Sequence, residues 1–276
     1  MAGLSGRKEN RLIEAARAAA EKGDWQEAIS VWEKLLKESE VDSPVEAYRG
    51  ISKAKRKLGQ LGRVAEVSKR FGDVPHMNES RAHVMTEIIR QNRCQRLLEL
   101  GFAHGKSSAY IAACLEDIGE GHLTTIDLEK ARSREPNIEQ MLDSMGLSHR
   151  VEPIFAQKSY IWELTRMIQD GAGPRFDFCY IDGGHTWEVT GFGFVLVDML
   201  LEPGGIVILD DMDWCLANSP AAKRKPAKLA KLSNDEKNAK GVRMTYELLA
   251  PQLGYRQLGE KPEFGFGWGL LQKPRH

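Results

Sequence analysis

The sequence predicts an α/β fold: a mostly parallel sheet with helices on both faces, closed by an antiparallel C-terminal hairpin and preceded by an all-helical segment. Three observations carry this. First, from residue 94 onward short apolar runs alternate with amphipathic stretches, as parallel strands do with their crossover helices. Those runs are "CQRLLELG" (94–101), "HLTTIDL" (122–128), "RVEPIFA" (150–156), "FDFCYID" (176–182) and "GIVILDD" (205–211). Second, "YRQLG" (255–259) and "FGFGWGLLQ" (264–272) read as two strands separated by turn residues. Third, before residue 75 apolar residues recur only at helical spacing.

The helical segment comes first. In "DWQEAISVWEKLL" the residues Trp25, Ala28, Ile29, Trp32, Leu35 and Leu36 form one apolar stripe, and Leu12, Ile13, Ala16, Ala19 and Ala20 form another on the preceding helix. "KGDWQEA" (22–28) has an echo in "LGQLGRVA" (58–65); Gly23 to Gly59 is 59 − 23 = 36 residues, near the period of helical-hairpin repeats. The stretch "GDWQEAISVWEKLL" resembles a tetratricopeptide repeat, with a degenerate second copy. Two repeats are too few to stand alone, so residues 1–74 are expected to be an appendage that packs on the domain 75–276 or on a second subunit as a homo-oligomer contact. In that domain the periodicity predicts helices at 79–91, 106–118, 136–145, 159–169, 186–201 and 236–250.

Composition narrows the class. The 276 residues carry zero formal net charge, so charge argues for neither nucleic acid nor a membrane surface as partner. No apolar run approaches the roughly 18 residues that span a bilayer, and "MAGLSGRKENRLIE" lacks the apolar core of a signal peptide. Cys94, Cys114, Cys179 and Cys215 form no CxxC pair; buried free thiols and a cytoplasmic location are expected.

Ligands of such sheets bind beyond the carboxyl ends of the strands. "LLELGFAHGKSS" sets Gly101 and Gly105 between a strand and a helix, where the backbone can turn tightly and approach a ligand. Three readings compete. A dinucleotide site wants a glycine where Ala103 stands, and a P-loop wants four residues between the glycines where this chain has three. The third uses Glu99 in E-x-G-x-x-x-G, suited to a ligand with positive charge and hydroxyls, since a carboxylate would repel a triphosphate. Asp127 ends the second strand 127 − 105 = 22 residues past Gly105, where nucleotide-binding sheets place an acid for the ribose hydroxyls.

On these residues the chain resembles class I S-adenosylmethionine-dependent methyltransferases over roughly 79–272. "ELGFAHGKS" is similar to the cofactor loop of the catechol O-methyltransferase type, E-L-G-x-x-x-G-x-S. The resemblance implies a Rossmann-like sheet and S-adenosyl-L-methionine as cofactor. It places Glu99, Gly101 and Ser107 at the methionine end, with Gly105 in the same loop, Asp127 at the ribose, and "AQKSY" (156–160), with Lys158 and Ser159, at the adenine.

Asp182 ends the fourth strand, with His185 three residues on; Asp210 and Asp211 end the fifth. Adjacent strand ends lie about 5 Å apart, so three carboxylates crowd one rim, and a hard divalent cation, Mg²⁺ or else Mn²⁺ or Ca²⁺, relieves their repulsion. Metal-dependent catechol O-methyltransferases and macrocin-type sugar O-methyltransferases share this pattern, with 210 − 182 = 28 residues between first and second ligands here. The resemblance implies Asp182, Asp210 and Asp211 as metal ligands and His185 as the base. The expected function is metal-dependent O-methyl transfer to a small molecule with vicinal hydroxyls, a sugar or natural product. The alternatives are a P-loop-like nucleotide hydrolase and a helical-repeat interaction protein with an inactive methyltransferase-like domain.

Three further features carry expectations. The Lys-rich stretch 216–240 reads as a mobile lid or an anion contact. Trp214 reads equally as a pocket wall or as core. His104 reads as a local packing residue, and Trp187 and Phe192 as core.

Overall fold

The computed structural model describes residues 2–38, 41, 44–171, 175–219 and 226–275. Nine helices and seven strands carry the architecture: α1 (Ala2–Glu21), α2 (Trp25–Leu36), α3 (Val45–Leu58), α4 (Arg63–Phe71), α5 (Glu79–Asn92), β1 (Arg96–Leu100), α6 (Lys106–Ile118), β2 (His122–Leu128), α7 (Ile138–Met145), β3 (Val151–Ala156), α8 (Tyr160–Gln169), β4 (Phe176–Ile181), α9 (Trp187–Leu200), β5 (Leu201–Asp210), β6 (Arg256–Lys261) and β7 (Trp268–Gln272). The sheet order is β3-β2-β1-β4-β5-β7-β6. Neighbours from β3 to β5 are parallel, and β7 runs antiparallel to both β5 and β6. The chain leaves β1 in one direction along the sheet and returns on its other side at β4. The crevice at that reversal is where an open α/β sheet takes ligands.

Period-two alternation assigns every strand residue a face. Leu97, Phe178, Tyr180, Ile206 and Ile208 join one core with α3 to α7. Leu98, Leu100, Cys179, Ile181, Val207 and Leu209 join the other with α8, α9 and the helical segment at 241–252. Tyr180 and Asp210 therefore face α5, which decides the chemistry below. The four cysteines are buried and free.

Local signals set the helix ends. Gly105 and Gly119 take left-handed conformations at the two ends of α6, Asn137 forms a capping box on α7, and Ser159 caps α8 through Trp162 N at 3.3 Å. Two stretches differ from the periodicity. β5 begins at Leu201, because "LEPGG" pairs irregularly with β4 before the register jumps from Phe176 to Phe178. The helix expected over 236–250 is broken into Asn234–Asn238, capped by Ser233, and an irregular helix over 241–252. At the break Gly241 lies against the backbone of Thr186 and Trp187, where no Cβ fits. Phe192 is 52% exposed and is not core, whereas Trp187 is partly buried.

α1 and α2 bury Ala16, Ala28, Ile29, Trp32 and Leu35 against Ala47, Ile51 and Ala54 of α3. The Trp32 indole lies against Gly50, where no Cβ fits. The opposite face of α3, with Val45 and Tyr48, and α4, with Val64, Val67 and Phe71, join the sheet core. Packing thus continues across residue 74, and the seam between the two apolar clusters runs through α3. Among the described residues no helix is long and apolar enough to cross a membrane.

Candidate active site

A cavity of about 350 Å³ opens at the carboxyl ends of β1, β2, β4 and β5. Of the residues singled out from sequence, Gly101, Ser107, Asp127, Asp182, His185 and Asp211 line it.

The β1 turn is fixed by contact with the β4 turn. Gly101 has φ +94°, and an added Cβ would lie 2.5 Å from the Asp182 carbonyl oxygen. A side chain there is excluded by conformation and by space. Gly105 lies outside the cavity lining; a Cβ on it would meet Ile138. Glu99 also stays outside. It is fully buried, pairs in register with Thr125 and Tyr180, and accepts hydrogen bonds from Ser108 and from Thr125 Oγ1 at 2.6 Å. Burial pushes its carboxyl up to about 7, against the lowering by Ser107, Ser108 and Thr125. Glu99 therefore braces the turn from beneath.

Asp127 Oδ2 accepts from Phe102 N at 3.0 Å and Ala103 N at 2.7 Å, and Oδ1 accepts from Leu128 N at 2.6 Å. Lys106 does not point into the site as a P-loop lysine would. Its ammonium donates to Gly72 O at 2.8 Å and Val74 O at 2.7 Å, fastening the 72–77 segment beside the cavity. Lys158 and Ser159 stand apart at the β3 edge: the Lys158 ammonium lies 5.9 Å from the Trp162 ring centroid, and Ser159 caps α8.

The β4 and β5 ends bring Asp182, His185 and Asp211 together, with ligand atoms all within 4.8 Å of one another. His185 Nε2 lies 3.1 Å from Asp211 Oδ2 and 3.8 Å from Asp182 Oδ1. It is buried and out of line for a hydrogen bond to either. Burial alone would lower the imidazole's pKa, but the two carboxylates outweigh it and raise it to about 9. Asp182 is itself held above the usual carboxylate range, by burial first and by the Asp211 charge as well. Asp211 has φ +59°, uncommon for a non-glycine residue, which turns it out of the strand toward His185. Trp214 packs beside the imidazole, ring centroids 5.1 Å apart. Lys240 and Arg243 each donate to Asp213 Oδ1 at 2.9 Å and pin this turn.

Asp210 departs from the set expected around a cation. Its alternation points it to the α5 face, where Arg81 and Tyr180 both donate to Oδ2, and Oδ1 accepts from Asp211 N at 2.7 Å. Sequence reasoning missed Arg81; the signal is an arginine inside the apolar stripe of α5, in line with Val84, Met85 and Ile88. It also missed Pro75, His76 and Met77, and the cations Lys130 and Arg134, which complete the lining. His104 Nδ1 donates to Pro136 O, 2.9 Å away, and the ring stacks on His76, a packing role. Of the Lys-rich stretch, Lys223, Arg224 and Lys225 lie outside the described residues.

Residues 98–212, which run from Glu99 through Asp211, match the profile of a family described as a methyltransferase domain. No curated protein matches the chain by sequence. Solved structures share its fold. The O-methyltransferase TomG from Streptomyces achromogenes, involved in tomaymycin synthesis and solved in complex with SAM, is 22% identical, with a TM-score of 0.54 over 78% of this chain and 89% of that one. The O-methyltransferase from Bacillus cereus, in complex with SAH, is 18% identical, with a TM-score of 0.54 over 83% and 99%. Cofactor-bound Rv0187 from MTB is 14% identical, with a TM-score of 0.55 over 87% and 100%. Residues 98–212 thus match a methyltransferase-domain profile, and the chain shares the Rossmann-like fold of these solved O-methyltransferases.

Proposed function

We propose that this protein transfers the methyl group of S-adenosyl-L-methionine to a hydroxyl oxygen of a small molecule with vicinal hydroxyls, assisted by a divalent cation. The observation that carries the reading is the cluster of Asp182, His185 and Asp211 on the wall of the same cavity as Gly101, Ser107 and Asp127. The Gly101–Ser107 turn and Asp127 serve the cofactor. The turn offers backbone without side chains, and Asp127 offers a carboxylate whose acceptor capacity the three loop amides do not exhaust.

The donor set fits a hard cation. Two carboxylates converge, and the imidazole Nε2 beside them has no hydrogen-bond partner of its own and is left to serve as a base. A divalent ion bound there would supply Lewis acidity, lowering the pKa of a chelated hydroxyl. Asp182 and Asp211 would hold it. His185 takes the hydroxyl proton at Nε2, and Trp214 packs beside the imidazole. With its pKa at about 9, His185 already carries a proton at neutral pH when only the two carboxylates face it. It becomes a base only when the field of those carboxylates is offset. The Gly101–Ser107 turn would hold the cofactor that supplies the methyl group, and Asp182 and Asp211 would hold the hydroxyl on the wall of the same cavity, so that the two reactants meet there.

The test is methyl transfer from radiolabelled S-adenosylmethionine to a panel of catechols and sugar diols, with EDTA and with Mg²⁺ or Mn²⁺ restored. Metal-restored transfer to diols and none to mono-ols is expected. Transfer that ignores EDTA contradicts the cation's part, and failure to bind S-adenosylhomocysteine contradicts the whole reading.

A further inference from the structure

Arg81 lies in the first turns of α5, outside the matched domain 98–212. It is 7% exposed and its partner Asp210 2% exposed. The guanidinium donates to Asp210 Oδ2, sits 3.5 Å from the Tyr180 hydroxyl, and lies 5.2 Å from the centroid of the Trp268 ring. Tyr180 donates to the same carboxylate oxygen, and the other oxygen accepts from Asp211 N. Both oxygens of Asp210 are thus committed within the protein, and its charge is cancelled by a fixed cation. A buried carboxylate without such a partner would be strongly destabilising.

The consequence reaches the rim. Sequence places three carboxylates there; the fold leaves two facing the cavity. The hydrogen bond from Asp211 N to Asp210 holds the one backbone unit that turns left-handed and aims Asp211 at His185. The guanidinium from the N-terminal side of the chain therefore occupies the charge position that the third carboxylate would otherwise offer to an ion.

We infer that Arg81 is the resident counter-ion of Asp210 and a positioning residue of the cation site, so that a divalent ion is held by Asp182 and Asp211, beside His185, without Asp210. The inference rests on the proposed cation binding. It also makes α5 part of the site: the segment that joins the helical N-terminus to the sheet sets the charge of the rim.

The test is Mn²⁺ titration by calorimetry of the full chain, with thermal unfolding of each variant beside it. Asp211→Asn should lose at least the roughly 10–100-fold in affinity typical even of outer-shell partners. The double variant Arg81→Met with Asp210→Asn keeps an acceptor for Asp211 N and removes both charges; its affinity should stay close to wild type. Arg81→Met alone releases a carboxylate beside the ion and should tighten binding. A loss in the double variant equal to that of Asp211→Asn would make Asp210 a ligand and overturn the inference. So would unchanged or weaker binding in folded Arg81→Met, which decides the matter should the double variant not fold. Absence of Mn²⁺ binding by wild type would instead remove the cation reading itself, and this inference with it.

Discussion

The two halves of the rim treat their acidic residues differently. At the β1 and β2 ends each carboxylate is tied down by donors of the chain: Glu99 Oε2 by Ser108 and Thr125, with Oε1 unpartnered, and Asp127 by three backbone amides. At the β4 and β5 ends Asp182 and Asp211 face each other and an imidazole that aligns with neither. The first half is held in place by hydrogen bonds from the chain itself. The second sets two carboxylates around an imidazole with no aligned hydrogen bond, an arrangement that a cation can replace. The difference teaches that one rim combines a preorganised glycine turn with a centre left electrostatically incomplete, and that Gly101 against the Asp182 carbonyl couples the two.

The largest expected effect breaks the second half alone. His185→Ala should cost about 10²–10⁴-fold in methyl-transfer rate, the usual worth of a positioned base, while S-adenosylhomocysteine affinity by calorimetry stays as in wild type. Equal loss of rate and cofactor affinity would erase the distinction between the halves.

Asp127→Ala breaks the first half. It removes a charged acceptor from the cofactor and from the amides of Phe102 and Ala103, so S-adenosylhomocysteine binding should weaken by about 1–3 kcal/mol. Mn²⁺ binding should be unaffected. An unchanged cofactor affinity takes Asp127 out of this role.

Gly101→Ala attacks the coupling. Left-handed strain and the contact with the Asp182 backbone should cost about 1–3 kcal/mol of stability, read as a lower Tm. Both ligands should weaken together. A variant as stable as wild type shows that the turns are not in contact.

A further effect is a pH dependence of stability from Glu99. Its folded pKa is raised from 4.5 to about 7 by burial, so between these values the native state holds more protons than the unfolded one. Stability therefore falls as pH rises through that window. Glu99→Gln should flatten this slope in urea titrations run at several pH values. A slope that survives the substitution belongs to another group.

The sheet was legible because its core strands are short apolar runs between amphipathic helical stretches, and four of the five runs end in glycine or acid or, at "HLTTIDL", one residue past an acid. Less could be read at the rim. "DD" at 210–211 does not say which carboxylate faces the cavity, since adjacent strand residues point to opposite sides and Asp211 then takes a positive φ. Arg81 stands out in sequence only as an arginine inside the apolar stripe of α5; the packing of α5 beside β4 and β5 makes it a counter-ion for Asp210. Lys158 and Ser159 rested on a loop without a motif, and Ser159 is used as a helix cap. The break near 238–241 was hidden because Gly241 meets the backbone of Thr186 and Trp187, which is distant in sequence.

The most direct test of the incomplete half is Mn²⁺ titration of the EDTA-stripped protein at pH 7.5 in buffers of different ionisation enthalpy. His185, with a pKa of about 9 when it faces only the two carboxylates, must surrender its proton to an ion that takes its place between them. One saturable site per chain with release of about one proton is the predicted result. No saturable heat, or binding at an unprotonated site with no proton released, would contradict the account.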